Sequence, residues 1–242
     1  MSELGVGVGR GRPLIVIPAR FSPSAPVLRY RALVTARALS EAVLRAGGEP
    51  LTVHPWSGVD VAERLGFADG VLLPGGGDLS PSRYGHVDQH DDVYDVDHEQ
   101  DDFDLAVADW ALSAGVPLLA ICRGTQAVNV VRGGGLEQHM ESPHRDVVQP
   151  VTVTDPELAA ILGPTPSVSC YHHQRLDGLG TGLQAIATSD DGTIEAIRAT
   201  ESAGWFLGVQ WHPEDTADTD PAQAALFEAL VTQAQSHRDR HS

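Results

Sequence analysis

Apolar and polar positions along the chain predict strands and helices that follow one another. Residues 14–17 form a short apolar run that ends at a proline, which is typical of a buried strand. Between Tyr30 and Ala46 the apolar residues recur at helical spacing, and a glycine pair at 47–48 follows. Glycine tolerates the left-handed conformation in which helices commonly end. We therefore predict a strand and then a helix in the first 48 residues.

The same alternation continues to about residue 133 and then gives way to strands. Strands are predicted at 51–54, 71–73 and 117–121, with a helix at 103–113 and another directly after Cys122. Later strands are predicted at 147–153, 167–170, 183–187, 193–198 and 205–211, and a closing helix at 221–235. This order predicts an α/β fold, with a mostly parallel central sheet flanked by helices and a small antiparallel addition. We expect one domain over 13–235, with flexible termini at 1–12 and 236–242.

Composition and charge narrow the function. With 242 residues, 42% of them apolar, the chain can bury one substantial core. Its formal charge of −17 argues against nucleic acid and anionic membranes as partners. There is no membrane-length apolar run or signal-peptide core, and two cysteines are too few for a disulfide framework. We expect a cytoplasmic protein. Glycines in residues 1–12 precede the first strand, so they do not match a dinucleotide-binding loop.

The residues around Cys122 predict a nucleophile. A strand ends at Ile121, Cys122 occupies the turn and a helix follows. The helix N-terminus favours thiolate over thiol, because its free N–H groups and positive dipole end point at the sulfur. Gly124 allows the helix to pack closely without a β-carbon clash. The alternative is an ordinary buried cysteine, which this strand–turn–helix arrangement disfavours.

A second segment, GWFLGVQWHPE at 204–214, supplies a base. His212 follows an apolar strand, and Glu214 lies two residues further on. A carboxylate there can hold one imidazole nitrogen and leave the other facing the sulfur. Oxyanion donors are expected from the glycines after strand 71–73 and from the N–H of Arg123.

These motifs together resemble the class I glutamine amidotransferase-like superfamily and, within it, the γ-glutamyl-γ-aminobutyrate hydrolase family. The resemblance rests on C-R-G-x-Q after a strand, LLPGGGDLSPSRYG at 72–85, YHHQ at 171–174 and G-V-Q-W-H-P-E. It implies a flavodoxin-like fold and a catalytic triad of Cys122, His212 and Glu214. It also implies an oxyanion hole at Gly76, Gly77 and Arg123, and a γ-glutamyl pocket lined by Gln126 and His172. No cofactor or metal is implied.

The sequence differs from the family pattern at three places. Ser169-Cys170 stands where the family has Asn-Ser, Gln100 where an Arg is frequent, and Gln149 where a His is usual. An acidic segment at 86–102 carries three histidines and eight carboxylates. Its spacing matches no defined metal loop, so we interpret it as a solvated loop that could rim the active-site mouth.

Three functions follow from the sequence. The first is hydrolysis of γ-glutamyl amides of GABA or polyamine type through a γ-glutamyl thioester, as in polyamine catabolism. The second is a glutaminase subunit that passes ammonia to a partner synthase. The third is a binding protein that keeps the fold without activity, which an intact Cys, His and Glu set disfavours. We expect a small-molecule γ-glutamyl amide as the partner, and a homodimer is left open.

Overall fold

The computed structural model describes residues 11–26, 28–201 and 203–241. Fourteen strands are found in these residues. They are β1 (Leu14–Pro18), β2 (Arg20–Ser22), β3 (Ala32–Val34), β4 (Glu49–Val53), β5 (Gly70–Leu73), β6 (Leu118–Ile121), β7 (Gly135–Glu137), β8 (His144–Pro150), β9 (Thr152–Val153), β10 (Ser167–His172), β11 (Arg175–Asp177), β12 (Leu183–Thr188), β13 (Ile194–Ala199) and β14 (Phe206–Val209).

Six α-helices accompany the strands in the described part of the chain. They are α1 (Arg37–Arg45), α2 (Val61–Leu65), α3 (His98–Ala114), α4 (Arg123–Val131), α5 (Pro156–Leu162) and α6 (Pro221–His241). None of these helices combines the length and the apolar character needed to cross a bilayer.

Eight strands form the central sheet, in the order β4-β1-β5-β6-β14-β13-β12-β9. The pairs from β4 to β14 are parallel, and those from β14 to β9 are antiparallel. Three small antiparallel pairs, β8–β10, β7–β11 and β2–β3, lie outside this sheet. The predicted fold class is therefore confirmed.

Successive residues of the central strands point to opposite faces, as strand geometry requires. On one face Ile15 and Ile17 pack in a core with α1, α5 and α6. On the other face Val16 packs in a second core with α2, α3 and α4. The sheet is thus covered by helices on both sides, which makes its parallel strands almost entirely apolar.

Several predicted element boundaries were wrong. The helix predicted from Tyr30 begins only at Arg37, because residues 32–34 pair with β2 as a strand. Helix α3 begins five residues before the predicted position, where the side chain of Asp97 accepts hydrogen bonds from two free backbone N–H groups. The strand predicted at 147–153 is split between β8 and β9, which belong to different sheets.

The two ends of the chain differ from each other. The expected flexible start and its glycines lie almost wholly outside the described residues. At the other end, residues 236–241 were expected to be loose, but they continue α6. Arg238 in this last turn donates to the carbonyl of Gly11 and lies 4.0 Å from the carboxylate of Asp69. These contacts hold the polar end of α6 in place. Residues 236–241 contain no apolar residue, so hydrophobic periodicity could not predict that the helix continues through them.

Candidate active site

Cys122 and His212 are brought together by two adjacent strands. β6 pairs in parallel with β14, with Ile121 opposite Val209. The N–H of Cys122 also donates to the carbonyl of Val209 at 2.8 Å. Because the two parallel strands end at the same edge of the sheet, Cys122 and His212 meet there although they are 90 positions apart in sequence.

Cys122 has a strained backbone. Its φ of 50° and ψ of −108° lie in a region that L-residues rarely adopt, and helix α4 begins at the next residue. Such a conformation costs of order 1–3 kcal/mol and persists only where the surrounding structure enforces it. The strand, turn and helix expected around Cys122 are therefore all present. The residue is 6% exposed, so its sulfur is largely shielded from water.

His212 is held by Glu214 and faces Cys122. Its Nδ1 lies 2.8 Å from Glu214 Oε1, in a turn where Pro213 is buried between them. Burial lowers the pKa of His212, but the charge of Cys122, a hydrogen bond with that sulfur and the Glu214 carboxylate outweigh burial. The pKa of His212 is consequently raised well above its usual value, which favours an imidazolium beside the sulfur.

The glycine loop after β5 lies against this pair. A β-carbon on Gly75 would be 2.8 Å from His212 Cε1 and 3.6 Å from Cys122 Cβ. Gly76 packs against Arg20 and Arg123 instead, and Gly77 packs against Asp95. Gly75 can therefore approach the imidazole of His212 and the β-carbon of Cys122 only because it has no side chain.

Arg20 fixes the orientation of the glycine loop, a role that no motif in the sequence predicts. Its Nε donates to the carbonyl of Gly75 at 2.7 Å, and its Nη2 donates to the carbonyl of Pro74 at 2.5 Å. In a trans peptide the N–H points away from the carbonyl that precedes it. The N–H groups of Gly75 and Gly76 are therefore turned away from Arg20.

A buried ion-pair network supports both Arg20 and Arg123. Asp104 pairs with Arg20 at 2.5 Å and also with Arg123. Asp101 lies 2.6 Å from Arg123, and both carboxylates are fully buried. Burial lowers the pKa of Arg20 to about 10, and Asp104 opposes that shift. Arg20 thus remains a cation at neutral pH. Through Arg20 and Arg123, the carboxylates of α3 connect the glycine loop to the turn at Cys122.

Gln100 belongs to the same network, at the position where the related family frequently has an Arg. Its Nε2 donates to Asp104 Oδ1 at 3.1 Å. The Gln100 amide therefore supplies a hydrogen bond to Asp104 but lacks the positive charge that an arginine would bring. Arg20 and Arg123 already provide two cations to the same carboxylate, so a neutral donor is sufficient here.

The two predicted pocket residues meet at one carbonyl group. Gln126 Nε2 lies 3.4 Å and His172 Nδ1 lies 2.9 Å from the carbonyl oxygen of Gln174. Gln210 joins this group to the sulfur: its Oε1 lies 3.5 Å from Gln126 Nε2, and its own Nε2 lies 3.5 Å from Cys122 Sγ. All four side chains are buried. Gln210 was not singled out in the sequence, although it lies within the GVQWHPE segment.

The acidic segment contributes to a cavity of about 390 Å³ beside the glycine loop. Asp95 and Asp97 line this cavity together with Gly76, Gly77 and Arg123. Arg20 and Arg31 line it as well. Asp97 lies 3.2 Å from Arg31, and Asp101 is buried against Arg123, so only part of the segment's charge faces the cavity.

The remaining part of the acidic segment lies elsewhere. Asp92 Oδ2 is 3.4 Å from His90 Nδ1 and 3.6 Å from His139 Nδ1, and the two imidazole rings are stacked. This group of side chains is largely exposed to solvent. Exposed groups of this kind are common without a ligand, and we assign no function to it.

Comparison with known proteins gives concordant results. A family model described as Peptidase C26 matches residues 13–214. Over 218 residues the chain is 32% identical to the gamma-glutamyl-gamma-aminobutyrate hydrolase PuuD of Escherichia coli K12, covering 81% of this chain and 84% of that protein. Over 209 residues it is 34% identical to a protein of Schizosaccharomyces pombe named "Putative glutamine amidotransferase", covering 81% of each.

The fold also matches a solved structure. A "putative gmp synthase subunit a protein" from Thermoplasma acidophilum superimposes with a TM-score of 0.69, covering 96% of this chain and 98% of that one. The two sequences are 15% identical. This likeness shows a shared fold and nothing more.

Proposed function

The chain belongs to the Peptidase C26 family, and from that premise we propose that it hydrolyses γ-glutamyl amide bonds through a thioester on Cys122. One observation carries the proposal. Cys122 occupies a strained turn at the end of β6, and the His212–Glu214 pair stands beside it at the end of β14. This arrangement supports the assignment of Cys122 as the nucleophile, His212 as the base and Glu214 as the orienting carboxylate.

The proposed reaction has two halves. The Cys122 thiolate attacks the γ-carbonyl carbon, and the amide C–N bond breaks as the amine leaves with a proton from His212. The neutral His212 then takes a proton from water, whose oxygen attacks the thioester and releases glutamate and the Cys122 sulfur. Glu214 keeps the imidazole oriented through both steps.

The negative charge that develops on the carbonyl oxygen needs donors. We assign this role to the backbone N–H of Arg123 and to those of Gly76 and Gly77. The position of Arg123 directly after the nucleophile supports the first assignment. The Arg20 contact with the Gly75 carbonyl orients the N–H of Gly76 and supports that donor, and Gly77 is assigned from its place next to Gly76 in the same loop. Losing one such donor costs about 10²–10³ in kcat in other enzymes.

We further assign Gln126 and His172 to the pocket for the γ-glutamyl group. Their shared contact with the Gln174 carbonyl, and the link from Gln126 through Gln210 to the sulfur, support this assignment. Gln126 and His172 are buried polar side chains held in place by hydrogen bonds. Such side chains suit the α-amino acid end of a glutamyl group, whose ammonium and carboxylate are attached to the same carbon.

The test is glutamate release from a panel of γ-glutamyl-GABA, a γ-glutamyl polyamine and free glutamine. The Cys122→Ser and Cys122→Ala variants are expected to lose release from every substrate while keeping the thermal unfolding midpoint of the unchanged protein. Full activity in either variant would contradict the mechanism. A folded protein in which a glutamine-analogue electrophile leaves Cys122 unlabelled would favour a non-enzymatic role.

A glutaminase subunit is the second candidate. The S. pombe relative carries the name "Putative glutamine amidotransferase", and this name supports the second candidate. Both candidates use the same chemistry at Cys122, and they differ in the leaving group. Faster release from glutamine than from γ-glutamyl amines, increased by a partner chain, would favour this second function over the first.

A further inference from the structure

Arg145 lies between two tyrosine rings at the edge of the proposed active site. Its guanidinium carbon is 5.3 Å from the ring centroid of Tyr94 and 5.0 Å from that of Tyr171. Tyr94 belongs to the acidic segment and Tyr171 to β10, so the arginine joins two separate parts of the chain. Arg145 is exposed, and among the described residues no carboxylate forms an ion pair with it. A cation that is held in place without a counter-ion is available to bind an anion.

A β-bulge in β8 decides that an arginine lies opposite Tyr171. In the β8–β10 pair Val147 lies opposite Cys170, whereas Arg145 lies opposite Tyr171, so the residue between them on β8 has no partner. That residue is Asp146, whose φ of 56° is in the left-handed region. With regular pairing Asp146 would lie opposite Tyr171. The bulge therefore puts a guanidinium where a carboxylate would otherwise be.

The two tyrosines connect Arg145 to the proposed catalytic residues. Tyr171 lines a cavity of about 240 Å³ that His212 also lines. Burial raises the pKa of Tyr94, and the charge of Cys122 adds to this shift. The phenol of Tyr94 is thus close enough to the sulfur to be affected by its charge. Arg145 consequently lies beside the site where the substrate reacts.

The cavity beside His212 suits a ligand with charges of both signs. The carboxylates of Asp146 and Asp215 line it, and Asp215 accepts a hydrogen bond from the Ser169 hydroxyl at 2.7 Å. These two carboxylates would repel a simple anion, because like charges at short distance are unfavourable. The α-amino acid end of a glutamyl group brings an ammonium for the carboxylates and a carboxylate for Arg145.

We propose that Arg145, in its place between the two tyrosine rings, binds the α-carboxylate of the γ-glutamyl group. This inference rests on the proposed function and deepens it, because it names the charge that selects the substrate. A guanidinium offers a carboxylate two parallel N–H donors, and the rings restrict its motion before the ligand binds. Gln126 and His172 lack the permanent positive charge of a guanidinium, so Arg145 supplies what their pocket does not.

The first test measures binding to the full-length Cys122→Ser variant, which lacks the nucleophile. Calorimetric titration compares L-glutamine with 4-aminobutanamide, the same molecule without its α-carboxylate. Adding Arg145→Gln should weaken glutamine binding about tenfold and leave 4-aminobutanamide binding unchanged. Arg29→Gln is the matched control and should change neither ligand. Arg29 also lies on a tyrosine ring, 5.4 Å from the centroid of Tyr30, but it lines neither cavity beside the site.

Steady-state kinetics separate the two carboxylates of γ-glutamyl-GABA. Arg145→Gln should raise KM for glutamine and for γ-glutamyl-GABA by the same factor, with kcat nearly unchanged, because both substrates carry the α-carboxylate. Arg145→Lys should raise KM less, since the charge remains while the planar pair of donors is lost. An increase of KM confined to γ-glutamyl-GABA would assign Arg145 to the leaving group and overturn the inference.

Three binding results would also overturn it. They are normal glutamine binding in Arg145→Gln, equal weakening of glutamine and 4-aminobutanamide, which a merely structural role would give, and no glutamine binding to Cys122→Ser. Because the binding measurement needs no hydrolysis, the two proposals can fail separately. A chain that binds glutamine through Arg145 but releases no glutamate would contradict the proposed function and keep this site.

Discussion

Gly124 lies against Leu73 so closely that residue 124 has no room for a side chain. A β-carbon there would overlap the carbonyl oxygen of Leu73 and lie 2.9 Å from its carbonyl carbon. Gly124 is in the first turn of α4, and Leu73 is the last residue of β5. The missing side chain therefore lets helix α4 pack directly on the strand that leads into the glycine loop.

Replacing Gly124 by Ala should destabilise the protein. The methyl group would meet backbone, which cannot move aside as a flexible side chain can, so overpacking should cost about 1–3 kcal/mol of unfolding free energy. Urea unfolding would measure this. Gly11→Ala is the matched control, because a β-carbon there meets nothing within 4 Å, and its effect should stay within about 0.5 kcal/mol. Equal stabilities of the two variants would contradict the packing described.

The raised pKa of His212 should appear in the pH dependence of both activity and stability. Its folded pKa lies above the unfolded value near 6.5, so the stabilisation is complete below that value and is lost as pH rises through the folded pKa. On the alkaline side kcat/KM should fall over the same range, because the imidazolium that protonates the leaving amine disappears.

In the Glu214→Gln variant, the alkaline fall of kcat/KM (the alkaline limb of the pH profile) should move to lower pH by about one unit or more, because an anion that stabilises the His212 imidazolium is removed. Profiles of kcat/KM against pH would measure the shift. Asp215→Asn is the control: its carboxylate contacts Ser169 at 2.7 Å, and the limb should stay in place. An unchanged limb in Glu214→Gln would show that Glu214 does not set the protonation of His212.

Arg20→Lys should lower kcat about 10–100-fold with a smaller change in KM. Lysine keeps the charge, but its three N–H donors share one nitrogen and cannot replace the three nitrogens with which Arg20 contacts Gly75, Pro74 and Asp104. The glycine loop therefore loses its fixed orientation. Arg31→Lys is the control, because that arginine is 67% exposed and contacts only Asp97 among the ion pairs of the described residues. Steady-state kinetics would decide. A normal kcat in Arg20→Lys would remove Arg20 as a positioning residue.

Asp95 should favour cationic leaving groups. It lines the cavity beside Gly76 and Gly77, and no ion pair to it is found within the described ranges, whereas Asp97 is paired with Arg31. An exposed carboxylate within a Debye length of about 8 Å should raise kcat/KM for a γ-glutamyl polyamine over γ-glutamyl-GABA by up to roughly tenfold.

The Asp95→Asn variant should reduce this preference, and added salt should reduce it in the unchanged protein. Asp91→Asn serves as a control from the same segment, because Asp91 does not line the cavity. If γ-glutamyl-GABA is the better substrate at low salt, or if Asp95→Asn keeps the preference, the segment is only a solvated loop.

The sequence by itself determined the alternation of strands and helices, the fold class, the family, and the strand–turn–helix around Cys122. These depend on local information: apolar periodicity, helix stops, and a cysteine placed between an apolar run and a helix. His212 and Glu214 could be found for the same reason, since both follow directly after an apolar strand.

Only the tertiary structure decided which residues from distant parts of the sequence contact one another. Arg20 contacts Asp104 across 84 positions, and His144 contacts Glu195 across 51, so no local pattern announces either pair. Asp101 belongs to the segment that was interpreted as a solvated loop, and Asp104 was not singled out, yet both are fully buried. Charge along a sequence predicts exposure, because burying an unpaired charge is costly. Arg20 and Arg123 pair with these carboxylates and offset that cost. The order of the strands in the sheet decides that these two arginines lie next to α3.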